Sequence, residues 1–416
     1  MNAQPSTIAQ VLAAARLIAS TLHLAATPAG IAARLAGAGE MDWPLLVHHA
    51  DGHTLTPLLY DTWRQAPLAA LEFVPPEIRE RMARAYTDNG TRNAHILREL
   101  LEVHRLLEEA GAPHLVLKGW PLVERLYDHP AQRYMSDQDF LVPADRAGSG
   151  HRALLAAGFR PLPAKDEWIE KHLPSVWRND GYQWNGYLYD PDYPRPVELH
   201  VRLWEYGWRG LGVRDLPDAR AEAQTITIAD TPLQVLSDEN MVIHLAMHFA
   251  GHLVEREARL NQLLDLARFA QRERATGLDW ERIAARSALA GVGRFVYASL
   301  WLANQVFGSP LPPGAAWQKL RGLTPRRFCD WLEGQGVEDV LTADYRRREK
   351  GKDYRLTFLA ANSLAERLGI VRFAALPPVG QLAAKYRLRH RWLGPLLYPR
   401  YIAERVRDYG RGKLKR

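Results

Sequence analysis

Two aspartates one residue apart, Asp137 and Asp139 in the stretch YMSDQDFLV, stand at the mouth of an apolar run. In an extended strand, residues two apart project from the same face, so the two carboxylates point together while Gln138 points away. Side by side they repel. A divalent cation between them neutralises both, and hard oxygen ligands at a strand edge suit magnesium, or manganese in its place, an ion commonly shared with substrate phosphates. A bare Asp-x-Asp pair is also what a solvated strand start looks like, so the neighbouring residues decide between the two.

Upstream, HLVLKGW reads as a strand, His114 to Leu117, that ends in Lys118 and Gly119 before a helix beginning near Pro121. Such a turn exposes backbone N–H groups, and glycine lets a phosphate come close to them. Lys118 is the only lysine in the first 164 residues of a chain that otherwise uses arginine there. A compact, flexible ammonium is thereby singled out. Arg133 supplies a second cation just before the aspartates. Downstream, VELH sets Glu198 and His200 on one strand face and Val197 and Leu199 on the other. Glu198 is then a third carboxylate for a metal, with His200 either behind it or simply packed.

These residues need elements to hold them. Up to about residue 110 the chain reads as helices, the last from Thr91 to Ala110 with an apolar stripe of Ile96, Leu97, Leu100, Val103 and Leu107, stopped by Gly111. From about 112 to 235 short β-type runs follow: HLVLKG, DQDFLV, FRPL, VELHVRL and AQTITI. From Ser237 helices return and continue to the end, broken at GSPLPPGAAW and LPPVG. The expectation is an α+β fold: a small mixed β-sheet core at 95–235, flanked by an N-terminal helical region at 1–94 and a C-terminal one at 236–416 that carries a basic tail. Between the aspartates and Glu198, VWRNDGYQWNGYLYDPDYPRP is rich in Tyr and Trp, suited to stacking a ring or to a twisted aromatic hairpin. On IHLAMHFAGH, His244, His248 and His252 share one helix face; without the Glu of an HExxH motif they read as a packing face rather than a zinc site.

Composition sets the outer limits. At 416 residues, 47% hydrophobic and 24% charged, the chain is expected to be globular with a sizeable core. Its one cysteine, Cys329, excludes an internal disulfide framework and fits a reducing, cytoplasmic setting. The first positive side chain is Arg16, and Ile8, Val11, Leu12, Ala15, Ile18 and Leu22 recur at helical spacing, as in an amphipathic helix rather than a signal peptide. The net charge of +7 is uneven: from Lys385 onward eleven Lys and Arg meet only Glu404 and Asp408, so the tail carries +9 and the rest −2. With Trp392, Leu396 and Ile402 interspersed, this tail suits an anionic membrane surface, RNA or another acidic partner, or a solvated helix. A location peripheral to the membrane is the variant of the cytoplasmic reading that follows from it.

Taken in order, LVLKG, the helix ending in Leu126 and Tyr127, Arg133, DQDFLV, the helix leading to AAGF, and VELH resemble the polymerase-beta-like nucleotidyltransferases. More narrowly they resemble an uncharacterised bacterial nucleotidyltransferase family, and residues 244 to 269 are similar to its helical region. The resemblance implies a divalent-metal enzyme, with Mg2+ or Mn2+ on Asp137, Asp139 and Glu198, Lys118, Gly119 and Arg133 near the triphosphate, and His200 in support. The wider superfamily commonly has glycine then serine where this chain has Gly119 and Trp120, so phosphate contact falls to Lys118 and backbone groups. The implied reaction moves a nucleoside monophosphate from a nucleoside triphosphate to an acceptor hydroxyl or amine on a small molecule, peptide or protein. The alternatives are an inactive binding or scaffold protein of the same fold and an RNA-directed transferase.

Overall fold

Helices α1 (Ile8–Thr21), α2 (Pro28–Ala36), α3 (Trp43–Gly52), α4 (Thr56–Arg64) and the long α5 (Pro76–Glu109) precede the first strand. The computed structural model describes residues 7–67, 71–162, 171–179, 181–343, 354–388 and 390–413. Helix α5 begins at Pro76 rather than at the expected Thr91, and it runs unbroken through Asp88, Asn89 and Gly90, a triplet that reads as a turn. Its tertiary partners explain why. A Cβ at Gly90 would lie 3.3 Å from the Ala131 Cβ, so glycine admits a neighbouring turn. Asn89 donates to the Ala131 carbonyl at 2.7 Å and Asn93 to those of Pro130 and Arg133 at 2.5 and 2.8 Å. The breaker residues are thus consumed in packing.

Strand β1 (Leu115–Val116) leads to the short helix α6 (Trp120–Leu126), then β2 (Gln138–Leu141), α7 (Ala144–Ala156), β3 (Arg160–Pro161), β4 (Val176–Trp177), β5 (Val197–His200), β6 (Gln224–Ile228) and β7 (Thr231–Val235). They form one mixed sheet of order β3-β4-β5-β2-β1-β7-β6. Strand β2 runs antiparallel to β1 and parallel to β5. Strand β7 escapes a sequence reading because Pro232 sits in it. It meets β1 only at Val235, so the N–H that proline lacks is not needed on that side. One sheet face packs Phe140, Val197 and Leu199 against Ile96, Leu100, Val103 and Leu107 of α5 and Leu154 of α7.

The other face carries Leu115, Leu117 and Leu141 into a larger core. That core includes α1, α3 and α4 as well as α8 (Asp238–Val254), α9 (Leu260–Thr276), α10 (Trp280–Leu289) and α11 (Gly293–Phe307), so the two helical regions share one interior. Ser237 caps α8 by accepting from the Asn240 N–H. Beyond it come α12 (Gly314–Gly322), α13 (Arg326–Trp331), α14 (Val337–Leu341), α15 (Tyr354–Ala360), α16 (Leu364–Ala375), α17 (Val379–Lys385) and α18 (Tyr398–Lys413). Among the described residues no helix is long and apolar enough to cross a membrane.

The aromatic segment joins the antiparallel neighbours β4 and β5, and between them the described residues form no further strand. Arg92 of α5, fully buried, holds it: its guanidinium donates to the carbonyls of Tyr193 at 2.7 Å and Asp190 at 3.3 Å and, on the other side, of Met135 at 3.2 Å. The rings of Tyr134 and Tyr193 flank it at 5.3 and 5.4 Å. Arg92→Ala leaves one buried and two partly buried carbonyls short of a donor and is expected to cost roughly 2–3 kcal/mol. Urea denaturation measures that loss, and limited proteolysis should cut faster between residues 178 and 196 than in the parent.

Candidate active site

Asp139 lies at the middle of the sheet with a neighbour on each side. Register pairs it with Glu198 of β5, and Leu117 of the β1 edge donates its N–H to the Asp139 carbonyl at 3.1 Å. Glu198 is therefore level with Asp139 on one side, and Lys118, the next residue after Leu117, arrives on the other. Asp137 stands one residue ahead of β2, which starts at Gln138. Gln138 does point to the opposite face, where it donates to Glu99 of α5 at 2.5 Å.

Lys118 does what a cation between two carboxylates should do. Its Nζ donates to Asp137 Oδ1 at 2.6 Å and lies 2.6 Å from Asp139 Oδ2. Burial works against the ammonium, but Asp137 and Asp139 outweigh it and raise its pKa. Burial likewise opposes ionisation of Asp139, yet Lys118 and then His200 prevail and hold its carboxyl well below the usual range. Asp137 goes the other way, because burial raises its pKa by more than Lys118 lowers it, and Asp139 and Glu198 push with burial. Gly119, with φ of 80° and ψ of −118°, caps α6 in a conformation that a side chain would strain. Trp120 is buried among the residues of the α5 side of the sheet, a plug rather than a stacking platform.

The second oxygen of Asp139 looks the other way. His200 Nε2 lies 2.9 Å from Asp139 Oδ1 and 3.3 Å from Glu198 Oε2. Burial disfavours the His200 cation, but its bonds to Asp139 and Glu198 win and raise its pKa. Glu198 also accepts from Ser175 Oγ at 3.1 Å and has His172 Nε2 at 3.5 Å. Ligand atoms of Asp139, Glu198 and His200 all lie within 4.8 Å of one another, the spacing of a metal site. Asp139 thus belongs to two adjoining cradles, one of oxygens with Asp137 and one with Glu198 and His200. Oδ2 of Asp139 is buried, and its counter-charge is the Lys118 ammonium at 2.6 Å.

Two features were not legible beforehand. His172 and Ser175 join the site from KHLPSVW, a segment with neither periodicity nor motif. On α8, His244 is buried with no hydrogen-bond partner on either ring nitrogen among the described residues, and burial pushes its pKa down to about 3. Asp139, His200 and Lys118 are the charges it feels next, so His244 lies within electrostatic reach of this site. Of the other groupings with ligand spacing, that of His104, Glu108 and His114 is closed by a bond of 2.9 Å between the two rings. A cavity of about 440 Å³ between α1, α4, α6 and α9 has neither Asp137, Asp139 nor Glu198 in its lining.

Arg133 is brought close in sequence but committed elsewhere. It is buried, with Nε at 3.1 Å from both oxygens of Asp265 on α9 and Nη2 at 2.8 Å from Oδ2, while Tyr127 donates to Oδ1 at 2.6 Å.

Residues 39–308 match a family model described as uncharacterised nucleotidyltransferase. No curated protein and no solved structure matches the chain. The matched span runs from α3 to the end of α11 and so contains the whole sheet together with the helices of both sides.

Asp265→Asn is expected to destabilise the protein by about 3–5 kcal/mol, because it strands the buried Arg133 charge. Chemical denaturation followed by tryptophan fluorescence reads the loss; an unchanged midpoint would mean that the Arg133 guanidinium does not depend on Asp265.

Proposed function

Because the chain belongs to this family of uncharacterised nucleotidyltransferases, we propose that it transfers a nucleoside monophosphate from a nucleoside triphosphate to an acceptor hydroxyl or amine, with Mg2+ or Mn2+ held by Asp137, Asp139 and Glu198. The observation that carries the reading is the pair of cradles sharing Asp139. Each of its two oxygens has its own positively charged or polar neighbour, Lys118 on one side and His200 on the other. When bound, the metal supplies Lewis-acid stabilisation of the attacking and leaving oxygens. Asp137 and Asp139 offer hard oxygen donors on the open side, where Lys118 now acts as the counter-cation. Glu198 faces the acceptor and takes its proton, and His200 fixes the orientation of Glu198.

In the transfer a bond forms between the acceptor oxygen or nitrogen and the α-phosphorus while the α–β phosphoanhydride bond breaks. The electron pair of that bond leaves with pyrophosphate. Lys118, once released from the aspartates, is the flexible cation that neutralises triphosphate charge. Arg133, tied to Asp265, supports the segment that carries the aspartates from behind. The acceptor is a small molecule, peptide or protein, and the nucleotide is set by contacts beyond the carboxylates.

The identifying experiment is incubation with each of four α-labelled nucleotides, magnesium and cell extract, followed by isolation of whatever retains the label. Asp137→Asn is the sharper of the aspartate variants, since Asp137 is partly exposed where Asp139 is buried, and its amide leaves the core intact. It should abolish metal-dependent nucleotide binding in calorimetry without moving the unfolding midpoint. Lys118→Met should weaken nucleotide affinity by roughly 1–3 kcal/mol, the range for a lost charge-assisted bond. Equal nucleotide binding by the parent and by Asp137→Asn would remove the metal assignment.

A further inference from the structure

We propose that the C-terminal module, from α16 through α18, seats on an anionic lipid surface. Leu364, Leu368 and Val371 of α16 are 70%, 62% and 53% exposed, and their spacing of four and three puts them on one helix face. The opposite face is sealed against the body. Ile370 is buried, a Cβ on Gly369 would lie 2.4 Å from the Gly210 carbonyl oxygen, and Glu366 both accepts from the Gly212 N–H at 2.8 Å and pairs with Arg294 at 2.8 Å. The apolar stripe therefore faces outward as a fixed feature of the fold. Arg367 lies on one edge of the stripe and Arg372 on the other, both exposed.

The tail repeats this arrangement. Trp392 and Leu396, four residues apart, are each 73% exposed, and on α18 the exposed Ile402 and Val406 repeat that spacing, with Arg405 and Arg407 on either side of Val406. Tyr398 and Tyr401 of α18 donate to the carbonyls of Pro377 and Ala374, so the tail is fastened to the end of α16. Large apolar side chains left exposed in this number need a cover. Charge decides which. The stripe is bordered by arginines and joined to a tail of net charge +9. Arginines at the border of an apolar stripe can lay their stems along it and lift their charge to phosphate headgroups, the pattern of a helix lying in a membrane interface. RNA would satisfy the arginines and leave Leu364, Leu368 and Val371 without a partner. Contact is peripheral, since no helix among the described residues can cross a bilayer.

The test is co-sedimentation of the full chain with phosphatidylcholine vesicles, with and without phosphatidylserine, at low and high salt. The parent should bind the phosphatidylserine vesicles and release them as salt rises. Leu364→Gln/Leu368→Gln/Val371→Gln should bind them at least about tenfold more weakly, the low end for losing one buried aliphatic side chain. Arg405→Gln/Arg407→Gln/Arg411→Gln/Lys413→Gln should lose the preference for phosphatidylserine. Both variants should keep the parent's unfolding midpoint and nucleotide affinity. Vesicle binding by the apolar variant equal to that of the parent would overturn the proposal. So would salt-sensitive RNA binding with the vesicles left unbound, or a dimer that the apolar variant makes monomeric while no form binds vesicles.

Discussion

Negative charge placed on the inner face of a sheet has to be balanced where it stands, and the arrangement around Asp139 follows from that requirement. With its side chain only 2% exposed, this carboxylate cannot rely on water. The strand order answers the need, because β2 lies between β1 and β5. The end of β1 delivers Lys118 on one side, and β5 delivers His200 together with a further carboxylate on the other. Register is as important as order. A slip of β5 by one residue would turn Glu198 and His200 to the α5 face and bring Val197 and Leu199 toward Asp139. The alternation that buries Phe140, Val197 and Leu199 under α5 therefore also fixes the chemistry on the other face.

Helix α5 reinforces that register from behind. Along its length Arg92 holds the Met135 carbonyl, Asn93 those of Pro130 and Arg133, and Glu99 the Gln138 amide. The segment leading into β2 is thus clamped over about two turns of one helix, where a free loop would let Asp137 drift. Glu99 is itself buried, and burial raises its pKa more than Arg195 lowers it. The Gln138 contact consequently sits in a low-dielectric environment where polar contacts are strong. Rigid support beneath a pair of repelling carboxylates keeps them together when their counter-charge changes.

Much of this was written locally. Alternation placed Asp137 and Asp139 together and Gln138 apart, the Lys118–Gly119 turn started a helix, and Ser237 capped α8. What could not be read depended on partners distant in the chain. Helix α5 crosses Asn89 and Gly90 because residues 130–133 dock there, a fact absent from any window around them. Strand β7 tolerates Pro232 only because of which neighbour lies on which side. Arg133 looked like a free cation beside the aspartates until Asp265, from a helix beyond the sheet, came to occupy it. His172 and Ser175 gave no signal at all, since a segment with no periodicity shows its purpose only through what it touches.

The two cradles around Asp139 are not chemically alike, and the difference assigns a task to each carboxylate in the proposed reaction. On the Glu198 side the donors include an imidazole, and nitrogen admits zinc and other borderline ions as readily as magnesium. On the Asp137 side every donor is a carboxylate oxygen, the set that magnesium and manganese prefer. Asp137 is the most exposed of the three, at 29% against 20% for Glu198 and 2% for Asp139. Standing ahead of β2, it is also outside the ladder and is held through Lys118 at 2.6 Å instead of by strand pairing. Asp139 is therefore the fixed member, held by its two strand neighbours. Asp137 is the more exposed one, and in the proposed reaction the all-oxygen cradle that would favour a hard, hydrated ion depends on it.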